Sequence, residues 1–372
     1  MELICSMRRK PLKCEPPHFD GNTDSDVERP ICTISICNII AFTSMTELTD
    51  TDGDTWGGHV YVCDLNTPWN SYKVTSTVHP VSTIEWDGEG KHLLVATSVG
   101  DVSVFCQKDY LLNDWSCLYT ASFPGERIVK AIFFHNGRRV VPLEKKPDIP
   151  IAERLQVLRL TPTLKGFGGV ACEGACVITG TGLLGALAAG PRAGDAASVV
   201  TECLRANRDH VTAAHFAHKN GNILVAASCV RAGRRVLRTA AISVSRAPLA
   251  LKVTALPTLY LPEDNVHLPV ALSWSLRDEG EFLVVGGAGA GASLWKLTER
   301  PHAVHKLFSK GSQGNSTPGG GAKAGECFNT LSWQQMAGWS LEGGAGVTCV
   351  AACRSPSVPH PALCSMINKP NG

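Results

Sequence analysis

The sequence predicts an all-β protein of the β-propeller class, WD40-like but irregular. The first observation is segment 82–105, STIEWDGEGKHLLVATSVGDVSVF, in which three short apolar runs are separated by turns containing glycine and aspartate. Apolar and polar residues alternate within the runs, which is typical of antiparallel hairpins and not of helices. The second observation is that this unit recurs along the chain. The third is a content of 36 glycines and 22 prolines, which supplies many turns.

Five aromatic residues mark the copies of this unit. They are Trp86, Phe134, Phe216, Trp274 and Trp333, and a glycine turn follows the first four within six residues. The copies lie 48 to 82 residues apart. Propeller blades repeat at about 40–50 residues, so we expect loop insertions and a divergent blade at 170–190. A blade cannot cover its own two faces, so the aromatic residue is predicted to fill the gap to the next blade. A β-sandwich with chance similarity is the alternative.

The copies also predict which strands pair. Residues 128–134 should pair with 140–143 across the Asn136-Gly137 turn, and 175–179 should be joined to 183–188 by a glycine turn. A last, weaker blade should begin at Leu331.

Composition divides the chain into segments. Residues 1–30 are rich in proline and acidic residues, and we expect them to be loosely ordered. Residues 31–354 hold the blades, and within them 309–325 (SKGSQGNSTPGGGAKAG) is a low-complexity loop predicted to be disordered. Residues 355–372 are predicted to be a disordered tail. A full ring needs more than this chain supplies, so we expect an incomplete propeller that is part of a longer protein.

Composition and charge argue against several classes of protein. The net charge of +2 gives no argument for a polyanionic partner, and 44% hydrophobic with 18% charged residues is a globular composition. No apolar run reaches the roughly 20 residues that span a bilayer, and the first residues lack the apolar core of a signal peptide. The 15 cysteines are an odd number, so we expect reduced thiols inside the cell. The triplet Arg8-Arg9-Lys10 is either part of a nuclear address or a solvated tail.

One glycine motif offers an enzymatic hypothesis. The segment from Gly180 to Gly185, GTGLLG, matches G-x-G-x-x-G, which binds a dinucleotide pyrophosphate where it joins a strand to a helix. Glu202 lies where a ribose-binding acid would follow. No alternation of strands and amphipathic helices surrounds the motif. We therefore favour a glycine turn between two propeller strands, and we expect no catalytic residue, no cofactor and no enzymatic activity.

Two cysteine pairs have a spacing that zinc sites use. They are Cys172 with Cys176 and Cys349 with Cys353, and the histidines that could complete a site are His210, His215 and His218. In strands, however, cysteine is commonly a small core residue. We therefore expect no metal.

Positive charge is concentrated in residues 192–252, which carry ten lysines and arginines against three acidic residues. The densest part runs from Arg231 to Arg238. It either faces an acidic protein or a phosphate backbone, or it lies on a solvated loop. Aromatic residues for base stacking are nearly absent there, so we do not expect direct contact with nucleic acid.

Several segments, taken in order, resemble the Mediator subunit 16 family. They are 37–42 (CNIIAF), 64–69 (DLNTPW), 84–87 (IEWD), 113–115 (NDW), 134–137 (FHNG) and 160–169 (LTPTLKGFGG). The match is good from about 37 to 190, thinner to about 300 and faint from 327 to 354. Members of the family are considerably longer and continue into a helical domain.

The resemblance implies a non-catalytic scaffold in the tail module of the Mediator complex, a nuclear coactivator that links DNA-bound transcription factors to RNA polymerase II. It implies other tail-module subunits and transcriptional activators as partners, the polymerase machinery indirectly, and no membrane. We expect the loops at 46–58, 145–150 and 309–325 to be contact surfaces. The alternatives are a WD-repeat adaptor of another complex and a dinucleotide-binding enzyme that uses Gly180 to Gly185.

Overall fold

The structure is a computed structural model in which the described residues form strands and the turns between them. Described are residues 31–48, 55–109, 111–134, 138–140, 160–162, 174–189, 196–219, 222–231, 234–246, 248–261, 270–277, 280–287, 291–303, 327–340, 346–352 and 363–368. These ranges contain no helix, and so none that could span a membrane.

The first eight strands form two sheets of four, which we call blades I and II. Blade I consists of β1 (Cys32–Ile34), β2 (Ile39–Leu48), β3 (Thr55–Asp64) and β4 (Tyr72–Thr77). Blade II consists of β5 (Val81–Trp86), β6 (His92–Thr97), β7 (Asp101–Gln107) and β8 (Trp115–Ser122). Each strand pairs antiparallel with the next one along the chain. The three strands predicted in 82–105 are therefore confirmed, and β8 completes their sheet.

Blade III contains an insertion between its first two strands. Its strands are β9 (Ile128–Phe133), β12 (Gly174–Thr179), β13 (Leu183–Ala188) and β14 (Ser198–Cys203), and the inserted hairpin is β10 (Arg138–Val140) with β11 (Leu160–Pro162). The predicted pairing of 128–134 with 140–143 is wrong, because β9 pairs with β12 and β10 with β11. The divergent blade predicted at 170–190 is also wrong, because its strands complete blade III.

The remaining strands form two further blades and a hairpin. Blade IV consists of β15 (His210–Lys219), β16 (Asn222–Arg231), β17 (Arg234–Arg246) and β18 (Leu249–Ala255), and β19 (Leu259–Tyr260) also pairs with β17. Blade V consists of β20 (Ala271–Arg277), β21 (Gly280–Gly286), β22 (Gly291–Ala303) and β23 (Cys327–Ser340). The hairpin is β24 (Gly346–Ala352) with β25 (Leu363–Asn368).

Sheets of four consecutive antiparallel strands are the building unit of a β-propeller. The predicted all-β, WD40-like propeller class is thus confirmed. The described residues fall into two compact units. The first lies within Met1–Gly233 and Ala240–Ala255, and the second within Arg234–Thr239 and Leu256–Gly372.

Trp86 lies in the core between blades I and II. Only 6% of its surface is exposed. The buried residues packed with it come from both blades: Ala41, Val60 and Val62 from blade I, and Val81, Ile84, Leu93 and Val95 from blade II. The prediction that Trp86 fills the gap between neighbouring blades is confirmed.

A second tryptophan in the fourth strand packs against the first-strand tryptophan in two blades. In blade II the ring centroids of Trp86 and Trp115 are 6.0 Å apart, with an angle of 54° between the ring planes. In blade V those of Trp274 and Trp333 are also 6.0 Å apart, at 43°. The prediction that a new blade begins at Leu331 is therefore wrong, because Trp333 lies in the outermost strand of blade V and packs on Trp274.

Candidate functional site

The glycine motif of blade III forms the turn that joins β12 to β13. The backbone of Gly182 has a φ of +78°, which favours glycine. Its N–H donates to the carbonyl of Thr179 (3.0 Å), and the Thr179 hydroxyl accepts the N–H of Leu183 (3.2 Å). Gly185 does not belong to the turn, since it lies inside β13. The motif therefore joins two strands and not a strand to a helix.

Blade II contains the same turn between β6 and β7. Gly100 has a φ of +99° and donates its N–H to the carbonyl of Thr97 (3.3 Å). The Thr97 hydroxyl accepts the N–H of Asp101 (3.1 Å). Thr97 to Asp101 (TSVGD) and Thr179 to Leu183 (TGTGL) thus fold alike. We call them the closing turns, because each one is hydrogen-bonded to both ends of its own blade.

Each closing turn holds the beginning and the end of its own blade. In blade II the N–H of Ser98 donates to the carbonyl of Pro80 (2.9 Å), just before β5. The N–H of Phe123, just after β8, donates to the carbonyl of Gly100 (2.9 Å).

Blade III repeats both hydrogen bonds. The N–H of Gly180 donates to the carbonyl of Arg127 (2.8 Å), and the N–H of Leu204 donates to the carbonyl of Gly182 (3.0 Å). The N–H groups of Gly180 and Gly182, which a bound pyrophosphate would need, already donate within the protein. The interpretation as a glycine turn between propeller strands is confirmed.

The closing turn of blade III also connects blades. Its Gly180 carbonyl accepts the N–H of Val211 from blade IV (2.8 Å). The Glu126 carboxylate accepts the Thr181 hydroxyl (2.6 Å) and pairs with the Arg208 guanidinium (3.1 Å). Only 13% of the Glu126 side chain is exposed, so solvent screens this network less than it screens a surface ion pair. The turn thereby ties the loops that precede and follow blade III.

Gly185 faces the ring of Phe123. A Cβ atom at this glycine would lie 2.5 Å from two ring carbons of Phe123, which is closer than real side chains come. Phe123 is itself 4% exposed and belongs to the core between blades II and III. The third glycine of the motif therefore makes room for an aromatic ring of the preceding loop.

Glu202 lies in β14, the strand next to β13. It pairs with Leu184 in the sheet, and its carboxylate accepts the N–H of Cys203 (3.1 Å). It borders an open cleft of about 430 Å³ in the first unit, lined by Glu202, Cys203, Leu204, Arg205 and Ala206 and by Leu251, Lys252, Val253 and Ala255 of β18. Glu202 is therefore near the closing turn, but its carboxylate already accepts a backbone N–H, and the N–H groups of Gly180 and Gly182 already donate to carbonyls of the protein.

Among the described residues, the candidate zinc ligands do not converge. Cys176 is buried in β12 and Cys349 is exposed in β24, whereas Cys172 and Cys353 lie outside the described residues. The histidines His210, His215 and His218 all lie on β15. Within the described ranges no three metal-binding side chains come together.

The arginines at 231–238 are divided between two environments. Arg231 is exposed at the end of β16, and Arg234 is exposed at the beginning of β17. Arg235 is 4% exposed, and Arg238 is half-buried and donates to the Thr258 hydroxyl (3.0 Å). The alternative of a solvated loop is wrong for Arg235 and Arg238, which are strand residues engaged in packing.

Comparison with known proteins identifies the family. The sequence profile described as "Mediator complex subunit 16, N-terminal" matches residues 117–244. The chain is 35% identical over 331 residues to the mosquito (Aedes aegypti) protein "Mediator of RNA polymerase II transcription subunit 16". The aligned region covers 82% of this chain and 39% of the mosquito protein. The protein of that name from Drosophila melanogaster is 28% identical over 370 residues, or 87% of this chain and 44% of that protein. The chain belongs to the Mediator subunit 16 family.

This chain spans well under half the length of those two family members. Among solved structures, it is similar to the β-propeller domain of Cps50 (Swd1) from Myceliophteria thermophila, with 12% identity, a TM-score of 0.38, and coverage of 90% of this chain and 92% of that one.

The residues that hold this family member together were partly missed by sequence reasoning. Phe123 and Glu126 carried no motif, and Trp115 was noted only within the segment 113–115 that resembles the Mediator subunit 16 family. The closing turns did carry one, a threonine three residues before a glycine, which occurs at Thr97 and again at Thr179. Aligning the copies on this pair, as well as on the aromatic residues, would have placed β12 and β13 in one blade with β9.

Proposed function

We propose that this chain is part of a non-catalytic scaffold subunit in the tail module of the nuclear Mediator complex, a coactivator that links DNA-bound transcription factors to RNA polymerase II. The observation that carries the proposal is the 35% identity, over 331 residues, to a protein named as Mediator subunit 16. Its partners are then other Mediator subunits and transcriptional activators.

A scaffold role is favoured over catalysis by how the glycine motif is used. The N–H groups of Gly180 and Gly182 already donate to backbone carbonyls, so a phosphate could bind there only if these hydrogen bonds of blade III were broken. The carboxylate of Glu202, on the neighbouring strand, already accepts the N–H of Cys203. Rigid blades joined by such turns present broad faces for docking, which suits a subunit that holds other proteins.

The predicted contact loops remain part of this proposal. The first is shorter than expected, because β2 and β3 stay paired as far as Leu48 and Thr55, so only 49–54 connects them. Residues 49–54, like 145–150 and 309–325, lie outside the described residues. We propose all three as contact surfaces for neighbouring subunits.

Affinity purification of the tagged chain from nuclear extract, followed by mass spectrometry, tests the proposal. Recovery of several Mediator subunits in constant ratio is the expected result. Reproducible recovery of a different complex, without Mediator subunits, would replace the proposal with the WD-repeat adaptor of another assembly. A chain with 49–54 replaced by a Gly-Ser linker of equal length should lose part of the recovered set if that loop is a contact surface.

A further inference from the structure

The outer strand of blade V, β23, lacks the features that protect exposed sheet edges. Its 14 residues, CFNTLSWQQMAGWS, include no charged residue and no proline. Leu331, Met336 and Trp339 are 46%, 50% and 42% exposed. On one side β23 pairs with β22, and no other described strand pairs with it. A long, uncharged edge of this kind is a template for pairing with another extended chain.

Blade II supplies an internal template for what such an edge binds. Trp115 of β8 corresponds to Trp333 of β23, and in both strands a bulge follows at the third residue after the tryptophan. Counted from these tryptophans, Leu118 corresponds to Met336 and Ala121 to Trp339. Leu118 and Ala121 are both packed against the core between blades II and III. Met336 and Trp339 are exposed instead.

A short extended segment lies along the edge of β8. Ala196 forms a parallel bridge with Thr120, and the N–H of Ala197 donates to the carbonyl of Thr120 (3.0 Å). Ala197 also packs against the same core as Leu118 and Ala121. The segment therefore donates a hydrogen bond to the backbone edge of β8 and also covers the apolar side chains of that strand.

We propose that β23 binds an extended segment of a partner protein at Gly338, which corresponds to Thr120. The segment runs parallel to β23, donates a backbone N–H to the Gly338 carbonyl, and covers Met336 and Trp339 with small uncharged side chains. Small side chains are required because Trp339 fills space that Ala121 leaves open in blade II. Main-chain hydrogen bonds give such a contact its affinity and the alternate side chains its specificity.

The edge contact deepens the proposed scaffold role. It rests on that role only for the identity of the subunit that supplies the segment. The probe is a capped peptide of residues 195–202, DAASVVTE, which contains the two alanines that cover β8. The measurement is hydrogen exchange of the purified full chain, read at the amides of 336–340. At ten times its dissociation constant the peptide should slow exchange there about tenfold.

Three variants and a control peptide make the experiment selective. Trp339→Lys and, independently, Met336→Lys place a charge on the edge and should abolish the slowing. Trp69→Lys alters a tryptophan that is 75% exposed in blade I and should leave it unchanged. A peptide with lysine at both alanine positions should slow nothing. Thermal melting of each variant shows whether the fold is kept.

Several results would overturn the proposal. One is unchanged exchange at 336–340 with millimolar peptide, and another is equal slowing in Trp339→Lys. If those amides exchange slowly before peptide is added, the chain covers its own edge. If the free chain forms dimers that Trp339→Lys dissociates, the occupant is a second copy. None of these results depends on recovery of Mediator subunits, so the two proposals fail separately.

Discussion

Replacing Gly100 with alanine tests the closing turn of blade II. A Cβ atom there would lie 2.0 Å from the carbonyl oxygen of Phe123 and 2.6 Å from that of Glu126. Both atoms are backbone, so the loop after β8 must move. The φ of +99° adds a conformational cost of about 1–2 kcal/mol. Losing the hydrogen bond from Phe123 to Gly100 adds about 1 kcal/mol.

We therefore expect Gly100→Ala to lower the free energy of unfolding by about 3 kcal/mol. For a unit of this size, each kcal/mol lowers the melting temperature by about 2–4 °C, so a decrease of about 6–12 °C is expected. Differential scanning calorimetry measures it, and a urea titration followed by tryptophan fluorescence provides an independent value.

Two matched glycines separate the contributions. A Cβ atom at Gly88 would meet no atom within 4 Å, and its φ is not positive, so Gly88→Ala should change the melting temperature by less than about 2 °C. Gly125 has a φ of +75° and equally free space, so Gly125→Ala should show the conformational cost alone. If Gly100→Ala melts at the same temperature as Gly88→Ala, the closing turn does not hold the blade together.

Three further predictions follow from contacts in the blades. Gly185→Ala should lower the free energy of unfolding by about 1–3 kcal/mol, and adding Phe123→Leu should recover part of that loss. If urea titrations show that the effects of the two substitutions simply add, Gly185 and Phe123 are not in contact. Trp333→Ala should lower the free energy of unfolding by about 2–3 kcal/mol, whereas Trp339→Ala should lower it by less than about 1 kcal/mol. Equal urea midpoints for the two variants would contradict the packing of Trp333 on Trp274. Burial raises the pKa of Asp87, but its hydrogen bonds and the charge of His92 outweigh this and hold the pKa below its ordinary value. The carboxylate thus stabilises the fold above about pH 4 and ceases to do so as pH falls through the lowered pKa. Asp87→Asn should cost about 1 kcal/mol at pH 6 and less at pH 3, and a pH-independent difference would refute the assignment.

The sequence predicted the fold class because the local pattern of blade II is uninterrupted. Its β5, β6 and β7 follow one another across short turns, so alternation and glycine turns were enough to place Trp86. Blade III could not be predicted in the same way, because the insertion separates β9 from β12 and the nearest apolar run, at Val140, pairs elsewhere. Pairing over such a distance leaves no local signal.

The similar chemistry of inner and outer strands explains the error at Trp333. First-strand and fourth-strand tryptophans pack on one another, and in blade V both follow a leucine and a serine, at 272–274 and at 331–333. Spacing alone therefore does not distinguish a blade that begins from one that ends. The closing turn of blade III was noticed in the sequence as a glycine motif, and the hydrogen bonds with Arg127 and Leu204 that decide the role of this turn come from distant loops.

The most direct test of the scaffold proposal is quantitative affinity purification with a destabilised variant and its neutral glycine control. Tagged wild type, Gly88→Ala and Gly100→Ala are expressed at equal levels, and Mediator subunits recovered with each are quantified by mass spectrometry. We expect equal recovery with wild type and Gly88→Ala and a strong loss with Gly100→Ala, because intact blades carry the contacts. Recovery of no Mediator subunit with folded wild type, or equal recovery with Gly100→Ala after it has been shown to be unfolded, would contradict the scaffold role.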